Sequence, residues 1–153
     1  MIEYTKAKLS DIALMQEVVK PEVEGGIILF RSSDEMATNI RSYILAKEEG
    51  AIIGFGALHF HADDLAEVRS LVVKDGYRGK GVGKGIVQSL LKEGEALGVK
   101  KVFTLTYKKA FFESVGFSEI PKENLPHKVW KECINCPKFP NCDETAVKLD
   151  LSE

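Results

Sequence analysis

Four glycines fall within residues 77–85, at Gly79, Gly81, Gly83 and Gly85, interleaved with Arg78, Lys80 and Lys84. The stretch follows an apolar run ending Leu71-Val72-Val73. It precedes a segment in which Val82, Ile86, Val87, Leu90, Leu91 and Leu97 recur with the 3.6-residue period of a helix. A glycine turn at a helix start points backbone N–H groups outward, where the helix dipole favours an anion. Glycine is required because a side chain would hold a phosphate away from the backbone. With three cations alongside, a phosphate or pyrophosphate ligand is expected.

Two familiar nucleotide motifs are absent. A P-loop needs a glycine separated by four residues from a Gly-Lys pair, and the corresponding positions hold Lys74 and Arg78. A dinucleotide fingerprint needs glycines at offsets 0, 2 and 5, but the third falls on Lys84 or Ile86. What does fit is Arg-x-x-Gly-x-Gly, at Arg78, Gly81 and Gly83.

The rest of the chain supplies a mixed α/β domain. A strand is expected over 4–8, then a helix capped at Ser10-Asp11 and ended by Pro21 and Gly25-Gly26. Ser32-Ser33-Asp34 caps a second helix through Met36 and Ile40 towards Tyr43. Extended segments over 42–47, 51–61 and 65–74, joined by Glu48-Glu49-Gly50 and Asp63-Asp64, read as an antiparallel meander. A helix over 82–97 stops at Gly98, a strand covers 102–106 and a short helix covers 110–115. Late strands are expected over 117–120 and 145–151. The 153 residues suit one domain, 1–153, with a Cys/Pro-containing segment at about 125–144.

A net charge of −2 gives no reason to expect nucleic acid or an anionic membrane surface as partner. No apolar run approaches the roughly 20 residues of a membrane span. The first residues lack the order of a secretory signal, and three cysteines suit a reducing compartment. A cytoplasmic location is expected. The oligomeric state is left open, a homodimer included.

Within the strand Ala66-Glu67-Val68-Arg69-Ser70-Leu71-Val72-Val73, alternation puts Glu67, Arg69, Leu71 and Val73 on one face. A carboxylate and a guanidinium there fit a structural salt bridge, a solvated strand end or catalysis equally well.

The Arg78, Gly81, Gly83 motif between strand and helix resembles the pyrophosphate loop of the GNAT N-acetyltransferases. That family implies a mixed, largely antiparallel central sheet flanked by helices, with acetyl-CoA as cosubstrate. It implies Glu67 as general base, the backbone of Leu71, Val72 and Val73 along the pantetheine arm, and residues 78–84 (Arg78, Gly79, Lys80, Gly81, Val82, Gly83, Lys84) on the diphosphate. The family's usual tyrosine acid corresponds to Phe112 in Phe111-Phe112-Glu113-Ser114-Val115-Gly116-Phe117. Tyr107 is then the nearest phenol to protonate the leaving thiolate, with Ser114, a water or no acid at all as the alternatives, and a half-buried core ring the other reading of Tyr107.

Over nearly its full length the chain also resembles the short bacterial N-acetylglutamate synthases. The resemblance includes residues 26–31, 52–58, 66–73 and 102–107, and the segment from Leu125-Pro126 to Glu144. It implies acetyl transfer to the α-amino group of L-glutamate, at the start of arginine biosynthesis, with Arg31 and Arg69 on the carboxylates; an acetyltransferase of another small amine or a protein N-terminus, and a non-catalytic acetyl-CoA sensor, are the alternatives. Lys108 and Lys109 read rather as surface cations. No amino-acid-kinase-like stretch is present, so arginine inhibition through one is not expected.

Cys133, Cys136 and Cys142, with His127 upstream, are read as reduced thiols in a loop closing the substrate pocket rather than as a metal site. His59 and His61 share a strand face and are expected at an exposed strand end.

Overall fold

The computed structural model describes residues 1–124 and 144–151; the cysteine segment, with its thiols and His127, lies outside the described residues. In chain order the elements are β1 (Ile2–Lys6), α1 (Ile12–Glu24), α2 (Ser33–Thr38), β2 (Tyr43–Glu48), β3 (Ala51–Ala62) and β4 (Leu65–Val73). There follow α3 (Val82–Ala96), β5 (Lys101–Thr106), α4 (Lys109–Ser114), β6 (Ser118–Glu119) and β7 (Thr145–Asp150). The strands form one mixed sheet in the order β1-β2-β3-β4-β5-β7-β6. β1–β2, β2–β3, β5–β7 and β6–β7 are antiparallel and β4–β5 is parallel, as expected of the fold.

Local chemistry explains most boundaries. Ser32 accepts the Glu35 N–H at 3.1 Å and starts α2. Glu49 and Gly50, at φ +51° and +82°, form the two-residue turn that a β2–β3 hairpin favours.

Two expectations are corrected. Pro21 does not end α1, which continues to Glu24 before Gly25 caps it with an N–H to the Pro21 carbonyl at 3.0 Å. Proline removes one rung of the ladder, but the face carrying Ile12 and Met15 is buried in the core and holds the helix through it. The second helix stops at Thr38, and Ile40–Ser42 forms a 3₁₀ turn. Tyr43 is a core residue of β2, not a helix end.

The chain divides into two compact units. One holds Met1–His59 with Val68–Glu93, the other Phe60–Glu67 with Gly94–Glu153. The first is built on Ile12, Met15, Met36, Tyr43, Leu45, Phe55 and Val72. The second gathers around Phe103 and Ala146, with Leu65, Leu105 and Ile120 packed against them. β3 and β4 contribute residues to both units.

Candidate active site

In the first unit, β4 leads into the glycine turn and α3 begins at Val82, which is fully buried. Gly79 and Gly81 lie at φ +78° and +83°, where any other residue is strained, and both have open space where a Cβ would stand. Gly85 is constrained differently: a Cβ would stand 2.1 Å from the Tyr4 hydroxyl, so this glycine lets β1 pack on α3. Arg78 braces the turn. Its Nε donates to the Val73 carbonyl at 3.1 Å, and its guanidinium pairs with Glu22 of α1 and with Asp75 at 2.9 Å. Lys80 lies over the Tyr77 ring, 5.7 Å from its centroid, and Lys84 is exposed on the first turn of α3.

The same unit contains a cavity of about 740 Å³ whose walls include Gln16, Phe30, Arg31, Tyr43, Phe55 and Ser70. Arg31 reaches it from the stretch between α1 and α2. Its guanidinium pairs with Glu35 at 2.7 Å, and its carbonyl accepts from Gln16 at 3.2 Å. Burial pushes the Tyr43 phenol above its usual pKa near 10; Arg31 and Arg69 oppose that shift and Glu35 adds to it. Tyr43 and Arg31 thus share the wall of this cavity.

Alternation along β4 does not persist as expected. Ser70 has φ +55°, which interrupts the extended backbone, so the face shared by Glu67 and Arg69 cannot be extended by parity to Leu71 and Val73. The β4–β5 ladder runs from Leu65↔Lys101 to Glu67↔Phe103. Leu71, Val72 and Val73 follow it in the chain.

In the second unit, Glu67 is not at a solvated strand end. It is 6% exposed, and its Oε1 lies 2.8 Å from Nε2 of His61. The two side chains are 8% and 9% exposed. The turn Asp63–Asp64 folds β4 back after β3 and so returns Glu67 to His61. The His61 ring lies against Phe103, with centroids 5.6 Å apart. The expectation of an exposed strand end is thus wrong for His61: a buried carboxylate needs a polar partner, and this imidazole is one. The signal available in the sequence was a histidine shortly before a two-residue turn, followed by an acid just after it.

Tyr107 follows the end of β5 and is 39% exposed, so it is not a core ring. Phe112, by contrast, is buried edge-on between Phe111 and Phe117. Ser114 donates to the Phe111 carbonyl at 2.5 Å. The Lys109 ammonium binds Glu119 at 2.6 Å, which raises its pKa and agrees with its reading as a surface cation. Among the described residues no three His, Cys, Asp or Glu side chains are grouped to hold a metal ion, and no helix is long and apolar enough to cross a membrane.

Residues 13–117 match the acetyltransferase (GNAT) family, and the chain belongs to it. It is an acetyltransferase of a family that uses acetyl-CoA. An uncharacterized N-acetyltransferase of Chlorobaculum tepidum is 38% identical over 95% of this chain and 94% of its own length. An amino-acid acetyltransferase of Mycobacterium tuberculosis is 30% identical over 83% of this chain and 74% of its own length. Other amino-acid acetyltransferases are longer; the Pasteurella multocida enzyme is 31% identical over 80% of this chain, which spans 28% of it. In fold, the chain is similar over its full length to 36% of N-acetylglutamate synthase from Neisseria gonorrhoeae, solved with coenzyme A and N-acetyl-glutamate (TM-score 0.91, 21% identity).

Proposed function

We propose that this acetyltransferase moves acetyl from acetyl-CoA to the α-amino group of L-glutamate. The observation that carries the reading is the likeness, along most of the chain, to an enzyme named amino-acid acetyltransferase. A cavity with Arg31 in its wall, in the unit that also holds Arg69, supports it, because guanidinium groups recognise carboxylates and glutamate carries two.

In this reading the CoA diphosphate docks on residues 78–84, with Gly79 and Gly81 holding the turn open, Lys80 and Lys84 supplying charge and Arg78 bracing it. The backbone of Leu71, Val72 and Val73 binds the pantetheine arm. Glu67 removes one proton from the ammonium, and the free amine attacks the thioester carbonyl carbon. The C–S bond breaks, the thiolate leaves with a proton from Tyr107, the second proton lost from nitrogen restores the tyrosine, and Glu67 releases the first to solvent. Ammonium and thioester thus become amide, CoA thiol and one released proton. The product class fits an early step of arginine biosynthesis in the cytoplasm.

The test is release of CoA thiol with a panel of free amino acids, polyamines and N-terminal peptides. L-Glutamate should give the highest kcat/KM. A flat response across the panel, or a preference for a non-acidic amine, contradicts the assignment.

A further inference from the structure

An isolated glutamate is a poor base for an ammonium at neutral pH, and a buried one left without a partner would hold a proton itself. Glu67 is buried, yet Nε2 of His61 stands 2.8 Å from one of its oxygens. An ionised carboxylate can only accept hydrogen bonds, so the nitrogen facing it carries the hydrogen. The imidazole is in turn held by the Phe103 ring on β5, the residue paired with Glu67 in the parallel ladder. Carboxylate and ring are therefore fixed by one strand pairing and one hairpin.

We propose that His61 is the positioning residue for Glu67: its Nε2–H holds Oε1 and so fixes the carboxylate that takes the proton of the acceptor amine. This inference rests on the reading of Glu67 as base. The carboxylate gains one proton from the ammonium and passes it to solvent before the next turnover. Charged and titratable groups on the hairpin and on the strands around it include Arg69 on β4, His59 on β3, Tyr43, Lys47 and Glu48 on β2, Asp63 and Asp64 in the turn, Lys101 on β5, Tyr107 just beyond β5, and Lys148, which pairs with Asp150, on β7. Asp63, Asp64, Lys101 and Tyr107 are exposed, and water screens them.

The experiment is kcat and KM for the wild type, His61→Phe, His61→Gln and Glu67→Gln. His61→Phe should lower kcat about ten- to hundredfold and leave the acetyl-CoA KM within about twofold. His61→Gln keeps an N–H donor and should recover most of kcat. A wild-type kcat in both His61 variants, beside an inactive Glu67→Gln, overturns the role of His61 alone. Full turnover by Glu67→Gln overturns the base assignment and, with it, this one.

Discussion

The glycine turn and the Glu67–His61 couple are built by opposite means. The turn is local: its shape follows from the positive φ of Gly79 and Gly81, and Arg78 fastens it to the carbonyl of Val73, five residues earlier. The couple is tertiary: it depends on a hairpin, a parallel ladder and the ring of Phe103, and no short motif announces it. A local device tolerates changes elsewhere but fails when one glycine is replaced. A tertiary device survives conservative exchange of one partner while the surrounding packing stands.

Four predictions separate the acceptor and chemistry side of the site from the turn. Arg31→Ala should raise KM for L-glutamate about ten- to hundredfold and leave acetyl-CoA affinity unchanged in calorimetry. Arg31→Lys should recover little of it, because an ammonium cannot form the planar double contact. Gly81→Val should weaken acetyl-CoA binding about tenfold by calorimetry, because a β-branched residue is strained at φ +83°. The glutamate KM extrapolated to saturating acetyl-CoA should not change. Tyr107→Phe should lower kcat about threefold to tenfold, since a CoA thiol is already an acidic leaving group, and rapid-mixing measurements should show the loss in the acetyl-transfer step.

The smallest effect concerns Tyr43. Its folded pKa is raised, so its neutral phenol contributes stability that is full below about pH 10 and is lost as pH rises through the raised value. Absorbance titration at the phenolate band should show one tyrosine ionising later than the others, and Tyr43→Phe should remove that late step.

The same contrast explains what was legible in the sequence. The turn, the α3 period, the β2–β3 hairpin and the Ser32 cap are written in neighbouring residues, and each appears where its chemistry requires it. Pro21 misled because burial of the Ile12 and Met15 face outweighs one missing hydrogen bond. Ser70 misled because a non-glycine residue at φ +55° has no local signature, and it ends the alternation on which the β4 face was read. His61 was set aside because its partner is defined by pairing between strands. Tyr43 gave no local signal for a similar reason: it shares a cavity wall with Arg31, which stands 12 residues before it in the chain. Phe112, where the family's tyrosine would stand, was legible as a departure, and its burial among Phe111 and Phe117 gives that departure a packing role.

The central claim is that a buried carboxylate on β4 accepts the acceptor's proton while acetyl-CoA binds through a separate, local device. The most direct test sets single-turnover acetyl transfer by Glu67→Gln beside its calorimetric affinity for acetyl-CoA. A loss of about 10²- to 10⁴-fold in the transfer rate, with acetyl-CoA affinity at the wild-type value, is the predicted result. Transfer at the wild-type rate, or an equal loss of acetyl-CoA affinity, would contradict it.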